Sequence, residues 1–141
     1  MLTEKPLSLR MDADTLARLD EQASETGRPR SELVRRYVEE GVRMDRHPGI
    51  VFRPGPAGRR AGLAGGPDVW TVVSVMRDLG VSSDRAIDAT ADHLELPAGR
   101  VQMALRYYAD HREEIDGFIR RNEEEAERAY EAWLREQAAL A

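Results

Sequence analysis

Apolar and polar residues alternate near the start of the chain and recur at helical spacing through most of the remainder. Leu7, Leu9 and Met11 alternate with Pro6, Ser8 and Arg10, a period of two that predicts a strand with one buried face. Asp12 then suits a helix N-cap, where a carboxylate accepts from free backbone N–H groups. Leu16, Leu19 and Ala23 follow at helical spacing, and Gly27 fits the helix end as a left-handed residue. After Arg28-Pro29-Arg30-Ser31 a second helix gathers Leu33, Val34, Tyr37, Val38 and Val42 on one face.

Residues 47–67 are rich in Gly and Pro and read as a linker with two short strands, Ile50-Val51-Phe52 and Ala61-Gly62-Leu63-Ala64. Three helices are predicted over 68–111. The first carries Val69, Trp70, Val72, Val73, Val75, Met76 and Leu79 and ends at Gly80, with Asp68 supporting its first turn. The second is capped by Ser82 or Ser83 and turns Ala86, Ile87 and Ala89 inward, with Leu94 and Leu96 closing it. The third starts at Pro97 and shows Val101, Ala104, Leu105 and Tyr108 on its apolar face. From Arg112 one long charged helix fills residues 112–141, with Ile115, Phe118, Ile119, Asn122, Ala126, Ala129, Tyr130, Trp133 and Leu134 on one stripe.

Residues 1–46 are incomplete as a single copy. One five-residue strand leaves its backbone groups unpaired and its Leu-Leu-Met face wet. Two copies remove both difficulties: the strands pair antiparallel, and four helices cover their apolar side. The fold class expected is therefore mainly α with a short intermolecular β-ribbon, followed by a small helix-turn-helix-like domain and a long C-terminal helix. The dimer core is expected to hold Leu7, Leu9, Met11, Leu16, Leu19, Leu33, Val34, Tyr37 and Val38. The other ribbon face presents Ser8 and Arg10 twice, and a two-stranded ribbon fits the major groove of B-DNA.

Pro6-Leu7-Ser8-Leu9-Arg10-Met11, then Leu16 and Leu19, then Gly27-Arg28-Pro29-Arg30-Ser31-Glu32-Leu33-Val34-Arg35 resembles the ribbon-helix-helix (CopG/Arc/MetJ-like) family. The resemblance implies that Pro6, Ser8 and Arg10 face the bases of operator DNA, with Lys5 assisting. It also implies that Arg28, Arg30 and Ser31 serve a phosphate at the start of the second helix. One position departs from the family: Pro29 stands where a serine-like cap is usual, leaving Ser31 as the substitute cap.

Gly65-Gly66-Pro67-Asp68-Val69-Trp70, with Val101, Ala104-Leu105, Tyr107-Tyr108 and His111, Glu114-Ile115, resembles a small antitoxin-associated domain whose members pair with PIN-like ribonuclease toxins. Asp84, Asp88 and Asp92 lie on the face a second DNA site would use and repel phosphate, so a structural or dimer-stabilising role is expected there. Trp70, Tyr107 and Tyr108 are expected in the core, and His93 and His111 as packing or capping groups. Together the two resemblances imply a VapB-like antitoxin that represses its own promoter as a dimer and neutralises a PIN-like ribonuclease encoded by a neighbouring gene. Phe118, Arg121, Tyr130, Trp133 and Leu134 are the toxin-binding candidates, since apolar anchors at helical spacing suit a groove. The same stripe also suits packing on the middle domain or on the dimer mate.

Composition narrows the alternatives. Cysteine is absent, which excludes disulfides and thiolate chemistry. His47, His93 and His111 have no metal spacing, no nucleophile has a paired base, and Gly62-Leu63-Ala64-Gly65-Gly66 lacks the Lys-Ser/Thr of a phosphate loop. No enzyme, metal or cofactor is expected. No apolar run reaches transmembrane length and the start lacks a signal-peptide core, so a cytoplasmic protein without membrane contact is expected. The net charge of −5 runs against DNA binding, but residues 112–141 hold 5 basic and 9 acidic groups against 9 and 10 in residues 1–46. The competing reading is a stand-alone ribbon-helix-helix repressor without a toxin.

Overall fold

The computed structural model describes residues 3–141. It is mainly helical, with helices α1 (Ala13–Thr26), α2 (Arg30–Arg46), α3 (Val69–Leu79), α4 (Ser83–Leu94), α5 (Ala98–Asp110) and α6 (Arg112–Leu140) and strands β1 (Ile50–Arg53) and β2 (Arg60–Leu63). Two compact units divide the chain, with the boundary between Arg43 and Met44.

In the first unit, Asp12 caps α1 by accepting from the Thr15 N–H at 3.2 Å and from the Thr15 hydroxyl at 2.6 Å. Gly27 ends the helix at φ 66°, and the Arg28 N–H reaches back to the Ala23 carbonyl at 3.2 Å. The left-handed residue is needed for that return bond. Pro29 immediately precedes α2, and its carbonyl accepts the Leu33 N–H at 3.2 Å. Ser31 is therefore the second residue of α2 and lies inside its first turn, not at the cap position expected for it. Pro29 suits this place because it has no N–H to leave unsatisfied.

The segment Leu7–Met11 has no regular secondary structure within one chain. A strand is defined by its hydrogen-bonding neighbour, and among the described residues no other segment forms a ladder with this one.

The Gly/Pro-rich stretch forms the two strands expected there, and they belong to the core of the second unit. β1 and β2 pair antiparallel in the register Ile50↔Leu63, Val51↔Gly62, Phe52↔Ala61 and Arg53↔Arg60. Ile50, Ala61 and Leu63 are buried together with Val69, Val72 and Val73 of α3, Ala91 of α4, Val101, Ala104 and Tyr107 of α5, and Ile115 and Ile119 of α6. On α5 the fully buried tyrosine is Tyr107; Tyr108 is half-buried at the core edge. Val101, Ala104 and Tyr107, at successive three-residue steps, form the buried face of α5. His111 is the one residue between α5 and α6, and its N–H bonds the Tyr107 carbonyl at 3.0 Å.

The long apolar stripe of α6 divides. Ile115, Gly117 and Ile119 are buried and Phe118 is half-buried, whereas every residue from Arg120 onward is exposed except half-buried Ala132. Packing at home thus accounts for the first two turns and not for Tyr130, Trp133 and Leu134.

Candidate nucleic-acid interface

The N-terminal unit displays two contrasting surfaces. Leu9 and Met11 line an apolar groove of about 480 Å³ together with Leu19 of α1 and Val34, Tyr37 and Val38 of α2. Six of the nine residues expected in a dimer core thus meet around one opening. Leu33 is fully buried and Leu16 half-buried, while Leu7 is 83% and Leu9 66% exposed. Large apolar groups left in water at this density mark an interaction surface.

Lys5, Pro6, Ser8 and Arg10 are exposed. Pro6, Ser8 and Arg10 interleave with the apolar row, so in any extended conformation they take the opposite side, whereas Lys5 lies at the end of the segment in the register of Leu7 and Leu9. At the loop between α1 and α2, Arg28 pairs with Glu32 at 2.6 Å and Arg30 with Asp20 at 2.8 Å. All four of these side chains are about half exposed. Ion pairs of this kind contribute about 0–1 kcal/mol, so an arriving phosphate can displace either carboxylate. Farther along α2, Arg35 pairs with Glu4 at 3.4 Å, and Arg36 lies over the Tyr37 ring at 5.1 Å.

Residues 5–43 match the family model described as ribbon-helix-helix protein, copG family. Over these residues the N-terminal unit is similar to ribbon-helix-helix proteins. Proteins of this family are DNA-binding regulators that dimerise, and they are generally not enzymes. No curated protein and no solved structure matches the chain significantly. The ribbon-helix-helix match stops before the second unit, so the resemblance of that unit to an antitoxin-associated domain rests on its own residues alone.

The residues expected to bind a toxin do not share one surface. Tyr130 and Trp133 stack at 5.9 Å between centroids on the exposed part of α6, with Leu134 beside them at 45% exposure. Phe118 and Arg121 lie three turns earlier, where the hairpin tip approaches α6, and the Arg121 guanidinium sits 4.7 Å from the Phe118 ring centre.

Sequence reasoning overlooked a cluster of ion pairs in the second unit. Asp68 accepts from Arg53 at 2.7 Å, from the Trp70 indole N–H at 3.2 Å, and from Arg60. Asp68 stands at the N-cap position of α3, as expected, but its side chain makes no capping bond there and is taken up by the two guanidiniums and the indole. A faint signal was present: residues 47–67 contain Arg53, Arg59 and Arg60 and no carboxylate, and Asp68 is the first to follow. A second such group ties α3, α5 and α6 together. Arg77 donates to Asp116 at 2.6 Å, and the Tyr108 hydroxyl donates to the same carboxylate oxygen at 2.8 Å. The Tyr108 hydroxyl bond and the Arg77 bond hold the Asp116 carboxyl below its ordinary pKa, and Asp116 raises that of Arg77.

Among the described residues no cluster of His, Asp or Glu has the arrangement of a metal site, and no helix is long and apolar enough to cross a membrane. His47 is buried against Tyr107 with its Nε2 3.0 Å from Asp110, and His111 packs on Tyr107 at 4.4 Å. His93 is exposed in the last turn of α4.

Proposed function

We propose that this protein is a transcriptional regulator that binds operator DNA as a homodimer through residues 5–43. One observation carries the reading: the inward row of the N-terminal segment and the inward faces of α1 and α2 line a single uncovered groove, while Ser8 and Arg10 occupy the alternate row. A second copy covers the groove and pairs the two segments into a ribbon. Each ribbon then offers Pro6, Ser8 and Arg10 to base edges, with Lys5 at its end, while Arg28, Arg30 and Ser31 hold the flanking phosphate.

The finer reading is an antitoxin of a type II toxin-antitoxin pair that represses its own promoter and holds a PIN-like ribonuclease. Its support is the resemblance of the second unit and the bare aromatic surface of Tyr130, Trp133 and Leu134 on a helix rich in glutamate. Aromatic anchors flanked by acidic groups suit a basic RNA-binding cleft. Co-expression with the product of the adjacent gene tests this. A stable complex that disappears on truncation after Asn122 supports the antitoxin reading, and truncation there spares Ile115 and Ile119. A protein that binds its promoter but captures no neighbouring product is a stand-alone repressor.

A further inference from the structure

The hairpin tip at Pro56-Ala57-Gly58 overhangs the third turn of α6 and encloses a cleft of about 240 Å³. Its floor holds Asp68, Arg60 and Trp70, and its far wall holds Phe118, Arg121 and Glu125. We propose that this cleft binds a small aromatic carboxylate, a ligand that the DNA-binding and antitoxin readings neither require nor assign.

Charge is the first argument. Asp68 is shared by two guanidiniums, Arg53 and Arg60, so the floor retains one positive charge. Arg121 adds a second. Glu125 stands four residues after Arg121, the usual distance for a helical ion pair, yet Arg121 pairs with no carboxylate among the described residues. It turns back over Phe118 instead.

Gly117, buried one turn earlier on α6, has the Arg121 guanidinium in van der Waals range, 3.4 Å from where a Cβ would stand. The guanidinium lines the cleft, and among the described residues it forms no ion pair with a carboxylate.

Shape and polarity select the ligand. Trp70 from α3 and Phe118 from α6 supply aromatic surface. The volume falls below the range of about 300–1,000 Å³ typical of drug-sized pockets, which fits one ring and one acidic group. Two cations opposed by Glu125 at the rim accommodate a single negative charge, so a carboxylate suits better than a phosphate dianion.

The full-length Trp133→Phe variant leaves Trp70 as the one tryptophan and makes it a reporter of the floor. Titration with phenylacetate should change its emission saturably, with Kd in the range of about 0.1–10 mM for a ligand this small. Arg121→Gln in that background should weaken binding about tenfold or more, as removal of a charge-assisted bond predicts, with an unchanged circular dichroism spectrum. Phenylacetamide, lacking the charge, and acetate, lacking the ring, should both bind more weakly. No saturable change, or equal affinity in Arg121→Gln, overturns the proposal. Acetate binding as tightly as phenylacetate also overturns it, since the cleft would then read a bare carboxylate such as an acidic side chain.

Discussion

Arg30 at the start of α2 holds Asp20 of α1 at 2.8 Å, across the turn made by Gly27 and Pro29. The carboxylate occupies the position proposed for a DNA phosphate. Asp20→Asn should therefore tighten DNA binding at low salt by releasing Arg30. Its effect on stability should stay below about 1 kcal/mol, since both partners are half exposed. A gel-shift titration beside urea denaturation checks both; weaker DNA binding by Asp20→Asn counts against a phosphate role for Arg30.

Arg10 tests base reading separately from phosphate binding. Arg10→Ala should weaken binding to the protein's own promoter by about 1–3 kcal/mol for each bidentate pairing with a base that the arginine makes. Binding to unrelated DNA should change much less. Equal weakening on both DNAs would assign Arg10 to the phosphate backbone, and no weakening on either would remove the ribbon from the groove.

The groove around Leu9 and Val38 makes a prediction about assembly. Val38 is 51% exposed in one chain and lies on the surface proposed to meet the second copy. Leu9→Asp or Val38→Asp should give monomers by light scattering and abolish operator binding, because a carboxylate buried without a partner costs several kcal/mol. A variant that still elutes as a dimer would locate the interface elsewhere.

Asp68 should dominate the stability of the second unit among its charged groups. Asp68→Asn strands Arg53 and Arg60, whose side chains are 30% and 28% exposed. Removing one partner of a fully buried pair costs about 3–5 kcal/mol, so a loss of roughly 2–3 kcal/mol is expected after allowing for that exposure. Chemical denaturation in the Trp133→Phe background, followed by Trp70 fluorescence, reads it directly. A change under half a kilocalorie per mole would mean that the two guanidiniums are adequately solvated without Asp68.

Asp116 links the same unit to pH. Its carboxyl is held below the ordinary aspartate value by the Tyr108 hydroxyl first and by Arg77 second. A depressed folded-state pKa contributes stability that is present in full above the unfolded value and is lost as pH falls through the folded value. Melting temperature should therefore fall on acidification below the ordinary aspartate range. Tyr108→Phe should flatten part of that acid limb while lowering the plateau at neutral pH. An acid limb unchanged in Tyr108→Phe would show that other carboxylates carry it.

Local signals were legible wherever one residue's chemistry decided the outcome. Asp12 as a cap and Gly27 and Gly80 as left-handed helix ends follow from side-chain reach and from the absence of a Cβ. The strands at 50–53 and 60–63 and the break at His111 were likewise readable from apolar runs between turn residues. Less legible was the use of a side chain with several possible partners. Asp68 looked like a helix-start carboxylate, because its neighbours in sequence are the first turn of α3. Arg53 and Arg60, fifteen and eight residues away, reach it only once the hairpin folds back.

By itself the sequence determined the alternating segment at 6–11, the two helices after it, and the need of that segment for a covering partner, since these depend on periodicity and on backbone groups that must pair. Tertiary structure alone decided how the stripe on α6 is spent. Ile115 and Ile119 find the core of the second unit within reach, whereas Tyr130, Trp133 and Leu134 extend past its edge on the same helix. Helical spacing reports which residues share a face, but burial requires a neighbouring surface, and at about 1.5 Å of rise per residue α6 outruns the domain that packs against its beginning.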